Sequence, residues 1–202
     1  MNLARNEFER QMGKLASVIS RSLMYYAVWD SAWPTEETVR ALNRFRDFFS
    51  PVRGALFEVL LIHVSKVWEG DTSSISLPAL LDYAKQDMQG LVPHATIREL
   101  DDMCDQLYQQ KLVLDYLTKM KDQHLAHIDA HPFDDATIRK GDVDNLVKTV
   151  QLVFNRVSVA HEGSSHAWSI QATKSSWVTT EMLRILEEEA SNRRQPPGDT
   201  ST

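Results

Sequence analysis

Cysteine is nearly absent from this chain: Cys104 is the only one in 202 residues. A single thiol makes no intrachain disulfide and no cysteine-based zinc site. Set in an apolar helical pattern, it reads as a small buried hydrophobe. Glycine is sparse as well. The seven glycines stand singly, so there is no glycine-rich loop to cradle a phosphate. Positive charge is the scarcer sign, with 22 Lys and Arg against 28 Asp and Glu and a formal net charge of -6. That balance disfavours a general grip on nucleic acid, which needs a basic patch. It leaves room for one local basic groove. The N-terminus, M-N-L-A-R-N-E-F-E-R, is charged throughout and has no apolar signal core. The longest apolar run, Ala55 to Val64, is interrupted by Glu58 and His63. It is too short and too polar to span a bilayer. The expectation is a cytoplasmic protein with no membrane partner.

Helical periodicity is what the chain does have. Phe8, Met12, Leu15, Ile19, Leu23 and Tyr26 mix steps of three and four and fall on one stripe of a first helix. After a turn at Trp33-Pro34-Thr35, Val39, Leu42, Phe45 and Phe49 carry a second, with Glu36 and Glu37 in its first turn. Ser50-Pro51 reads as an N-cap followed by a first-turn proline. It predicts a central third helix over about Pro51 to Trp68, apolar on most sides. Ser76-Leu77-Pro78 opens a short fourth, through about Asp87. Ile97, Leu100, Cys104, Leu107, Leu114, Leu117 and Leu125 keep helical spacing from about Ala95 to about Ile128, with a weak stretch at Gln109 to Val113 that allows a bend. Pro132 ends this helix. Asp142 is expected to cap the next, whose stripe is Val143, Leu146, Val147, Val150, Phe154 and Val157, with Gly163 as its stop. Residues 164–173 read equally as a loop or a short hairpin. A last helix from about Ser176 to Ala190 is expected to turn Val178, Met182 and Ile185 inward.

There is no internal repeat and no β-α alternation. The fold class expected is all-α, a helical bundle of about six to seven helices. It forms one domain over residues 1–190, with its core at about 45–160, and a disordered tail over 191–202. Trp29, Trp33, Trp68 and Trp177 fall near expected helix ends and read as core or interface packing. Arg44, Arg46 and Arg53 cluster in sequence as a candidate basic rim for an RNA groove, against the plainer reading of a solvated helix face. Glu187-Glu188-Glu189 reads as a solvated face.

One stretch carries most of the chemistry: K-D-Q-H-L-A-H-I-D-A-H-P, Lys121 to Pro132. Three readings compete. His124, His127, Asp129 and His131 are all competent metal ligands, but no H-E-x-x-H pattern is present and only pairs three or four apart face each other on a helix. Catalysis is the second reading, because histidine takes and gives a proton near neutral pH. Cleavage through an RNA 2′-hydroxyl needs such a group and a cation near the scissile phosphate. Lys119 and Lys121 are the local cations. Lys121 and His127 lie about 120° apart around an ideal helix. A kink, local unwinding before Pro132, or a second protomer is therefore needed to aim both at one phosphate. The third reading is a set of histidines solvated at a helix end.

K-D-Q-H-L-A-H-I-D resembles the signature of the HEPN superfamily, an Arg and a polar residue followed a few residues later by His. Lys121 stands at the Arg position, Asp122 at the polar position, His127 at the histidine, and Asp129 at the trailing acid. The upstream text F-F-S-P-V-R-G-A-L-F-E-V-L-L-I-H-V-S-K-V-W-E-G-D, then S-I-S-L-P-A-L-L, is similar to the helices preceding the motif in the abortive-infection branch of that superfamily. The resemblance covers roughly Phe45 to Val157. It implies a helical, usually dimeric protein, in many members a metal-independent endoribonuclease of a toxin or phage-defence system. It implies no cofactor and no metal. His127 would move the proton, Lys121 would stabilise the phosphate and Asp122 would orient them. Lys119, His124 and Asp129 would lie along the RNA. An antitoxin or nucleotidyltransferase is an expected partner. The chain departs from the pattern at Lys121: lysine offers one compact charge where arginine offers a bidentate fork. The alternative implied is a non-catalytic dimeric HEPN module binding RNA, nucleotide or a partner protein.

Overall fold

The computed structural model describes residues 3–32, 35–68, 74–120 and 139–192. Among these, every regular element is a helix: α1 (Leu3–Ser31), α2 (Glu36–Asn43), α3 (Arg46–Trp68), α4 (Leu77–Gln86), α5 (Met88–Leu91), α6 (Ile97–Gln109), α7 (Lys111–Met120), α8 (Lys140–Glu162) and α9 (Ser169–Asn192). The all-α expectation holds. The helices are more numerous than the six to seven expected because the long segment after Ala95 breaks at Gln110 into α6 and α7, and because the one-turn α5 carries no periodic signal of its own.

α1 is the axis of the fold. It packs along α3 and α9 and touches α4, α5 and α8. The stripe read from sequence is buried through Leu23: Phe8, Met12, Leu15, Ile19 and Leu23 are all 5% exposed or less, while Tyr26 is only half-buried. Leu60 of α3, Leu80 and Leu81 of α4, Leu100 of α6 and Phe154 of α8 close the core around it. The local signals work as helix-capping chemistry requires. Ser76 caps α4 by accepting from the Ala79 N–H, and Thr96 with Glu99 forms a reciprocal capping box on α6. Gly163 ends α8 in the left-handed region at φ 72 and its N–H donates to the Val159 carbonyl. A side chain there meets no neighbouring atom, so the strain is purely in the backbone. Gly163→Ala is expected to cost about 1 kcal/mol, read as a lower urea midpoint.

His161 is a buried residue with no marker in the sequence. It is 4% exposed, its Nδ1 bonds the Leu91 carbonyl of α5, and its Nε2 lies 3.5 Å from Glu9. It ties three elements at one end of the bundle.

Several expectations are corrected. α3 begins at Arg46, one turn ahead of Pro51, since Phe45 starts the turn by accepting from the N–H of Phe48 and Phe49. Its burial is confined to the second half, Leu60 to Val67, while Phe45 and Phe48 are exposed. The helix is therefore central over its second half only. At 23 residues it is long and apolar enough, by length and composition, to cross a membrane. Ala55 to Val64 is only its middle, so counting uninterrupted apolar residues underestimates it. Arg139 occupies the N-cap of α8, and Asp142 sits three residues in, accepting from the Arg139 N–H at 2.9 Å. α9 starts at Ser169, so residues 169–173 are helical, and it runs to Asn192, past the start of the expected tail. On α9 the inward residues are Thr179 and Leu183, while Val178, Met182 and Ile185 are about half exposed. Trp177 is exposed in the helix interior, while Trp29 stacks on Phe57 at 5.5 Å. Glu187 is not merely solvated: it accepts from the Thr38 hydroxyl at 2.7 Å.

Candidate functional site

The candidate residues divide sharply. Lys121, Asp122, His124, His127, Asp129 and His131 lie outside the described residues, as does the expected run of helix from Lys121 to Ile128. Lys119 is exposed in the last turn of α7. Arg44, Arg46 and Arg53 are exposed around the start of α3. What the structure describes is the two helices that flank residues 121–138 in the chain.

The entry is α7. Leu114 and Leu117 bury its inner face, which packs on α3. Lys111 pairs with Asp115 at 2.9 Å on its outer face. α7 ends at Met120, directly before the motif in the chain. A helix C-terminus favours positive charge, and the sequence there supplies Lys119 and Lys121.

The exit is α8, anchored by a four-residue cluster. Tyr26 Oη donates to Asp144 Oδ1 at 2.6 Å, and Lys140 Nζ lies 2.7 Å from Asp30 and 3.0 Å from Asp144. The cluster joins α1 to the first turns of α8. Burial, then the bond to Asp144, hold the Tyr26 hydroxyl above its ordinary range. Bonds to Asp30 and Asp144 do the same for the Lys140 ammonium. Burial pushes the Asp144 carboxyl up, but the Tyr26 hydroxyl and Lys140 outweigh it and hold the group below its ordinary value. Tyrosine protonated, carboxylate charged and ammonium charged is thus the resting state at neutral pH.

A depressed native carboxylate contributes stability that is full above its unfolded pKa, about 4, and is lost as pH falls through the lower native value. Asp144→Asn is therefore expected to lower the urea midpoint at pH 6, and its difference from wild type is expected to vanish below the native pKa of Asp144. Tyr26→Phe is expected to cost about 1 kcal/mol, lowering the thermal midpoint by about 2–4 °C. The cluster is half-visible in sequence. Lys140 and Asp144 are spaced four apart, the signature of a helical ion pair, but nothing local connects them to Tyr26.

Among the described residues no group of three or more His, Cys, Asp or Glu is placed to hold a metal ion. In the chain, the motif stands between α7 and α8.

A helical protein that carries a histidine-bearing polar motif between two core helices is the class of protein defined here. The family model described as AbiU2, of the HEPN superfamily, matches residues 5–179. The chain belongs to this family and is a HEPN-type abortive-infection protein. The match takes in the whole motif, and reaches beyond the Phe45 to Val157 of the resemblance to include α1 and the first part of α9. No curated protein and no solved structure matches the chain.

Proposed function

We propose that the protein is a metal-independent endoribonuclease of a phage-defence or toxin system, acting at K-D-Q-H-L-A-H-I-D. The observation that carries the reading is the family match over residues 5–179, which spans a motif with Lys121, Asp122 and His127 in the HEPN order. His127 takes the proton from an RNA 2′-hydroxyl. The 2′-oxygen attacks phosphorus, the bond to the 5′-oxygen breaks, and the leaving oxygen takes a proton, which produces a 2′,3′-cyclic phosphate. Lys121 stabilises charge on the non-bridging oxygens, and Asp122 orients both groups. Lys119, His124 and Asp129 border the RNA.

The working form is a cytoplasmic homodimer of one domain each, residues 1–190. The angular separation of Lys121 and His127 on a straight helix is met by supplying one group from each protomer. An antitoxin or nucleotidyltransferase is the expected partner. Lys121 in place of arginine weakens the phosphate clamp, and this departure supports the second reading, a non-catalytic dimeric module that binds RNA, nucleotide or a partner protein. Incubation of the purified protein with RNA in EDTA decides between them. Cleavage with 2′,3′-cyclic phosphate ends supports the ribonuclease. Its absence together with retained RNA binding supports the module.

A further inference from the structure

α9 carries an apolar stripe that the described residues leave open to water. The helix is fixed to the bundle by its inner face, where Thr179 and Leu183 are buried. It packs along α1 and meets α2. The Ser31 and Ser176 hydroxyls bond at 2.6 Å, and the Thr38 hydroxyl donates to Glu187 at 2.7 Å. These contacts set which way the helix faces. Its outer face presents Val178, Met182 and Ile185, each about half exposed, with Trp177 beside them at 65% exposure. An exposed apolar patch on a well-held helix marks an interaction surface. Residues 193–202 hold no Leu, Ile, Val, Met or aromatic side chain to lay over it. The family match stops at residue 179, so Met182 and Ile185 lie beyond it.

The ends of the stripe identify what covers it. At about 100° per residue, Lys174, Val178, Met182, Ile185 and Glu189 fall within about 80° of one another around the helix. Lys174 and Glu189 are both exposed. The stripe thus runs from a cation, through three apolar residues, to a carboxylate. Such an order is complementary to itself read backwards. Laid antiparallel on a second copy, Lys174 meets Glu189, Val178 meets Ile185, and Met182 lies beside its own counterpart next to a two-fold axis. Two-fold pairing is the commonest way identical chains associate. A parallel pair would set Lys174 against Lys174 and Glu189 against Glu189, and would be repelled at both ends.

From this stripe we propose that α9 is a self-association surface, joining two copies of the chain antiparallel across Val178, Met182 and Ile185, with Lys174 of each copy paired to Glu189 of the other. The contact uses no motif residue and stands whether or not the protein cleaves RNA. It is also separate from any meeting of the motifs of two protomers.

Sedimentation velocity of the full chain over a concentration series tests this. Wild type is expected to associate reversibly. Met182→Asp sets two carboxylates side by side at the axis and is expected to weaken that step about a hundredfold or more. Helical content and thermal midpoint should hold, because the side chain faces outward. Lys174→Glu alone acts at both ends of the pair and is expected to weaken association about tenfold. Adding Glu189→Lys to it should restore the wild-type affinity. Where the motifs also pair, Met182→Asp takes a larger assembly down to a dimer; where they do not, it takes a dimer down to a monomer. Either step upholds the contact. A wild-type monomer at every concentration, association unchanged in a folded Met182→Asp protein, or a charge reversal that Glu189→Lys fails to rescue overturns the proposal.

Discussion

His127→Ala is expected to lower RNA cleavage in EDTA by about 10²–10⁴-fold while leaving the thermal midpoint and helical content unchanged. The size of the loss follows from the role. A positioned proton-transfer group contributes that range, and alanine removes it without a substitute. An unchanged midpoint is what a role in proton transfer, as opposed to packing, predicts for this residue. Toxicity on expression should fall in parallel. A folded His127→Ala protein that cleaves at the wild-type rate would remove His127 from the site. The companion variant is Lys121→Arg. If the single charge of lysine limits the phosphate clamp, arginine is expected to raise cleavage, because its planar fork makes two bonds where lysine makes one. Cleavage gained only in Lys121→Arg would mark a scaffold whose site has decayed toward binding.

The second large effect is structural. Phe154→Ala is expected to cost about 3–5 kcal/mol, lowering the thermal midpoint by roughly 10 °C for a chain of this size. Phe154 is fully buried, and its ring meets Trp168 edge-on at 5.3 Å and His166 at 5.2 Å. Trp168 is further held by its Nε1–H donating to Asn155 Oδ1 at 2.7 Å. Alanine leaves a cavity at the point where α8 locks the segment before α9. Because α8 also carries Lys140 and Asp144, activity in this variant should fall through loss of the fold, with cleavage tracking the folded fraction across a urea series. His127→Ala should show the opposite pattern, with full fold and no cleavage. A small midpoint shift for Phe154→Ala would mean that the surrounding helices collapse onto the space.

What was legible in the sequence was whatever depends on neighbours in the chain. The stripe of α1, the helix start at Ser76-Leu77-Pro78 and the stop at Gly163 are local signals, and the structure uses each of them. The weak stretch after Gln109 became the break at Gln110. Errors arose where a local signal served a different end. Ser50-Pro51 looked like a helix start, yet a turn built on Phe45 precedes it. Val178, Met182 and Ile185 are as apolar as a core stripe, but α9 meets α1 and α2 through Thr179, Leu183 and Glu187 instead.

The sequence by itself determined the helical class, most element positions and the identity of the motif residues, because helix formation and motif order depend on spacing along the chain. Tertiary structure alone decided which face α9 buries, since that is set by which partner lies opposite. It alone joined Tyr26 and Asp30 to Lys140 and Asp144 across more than a hundred residues, and so pinned the helix that follows the motif.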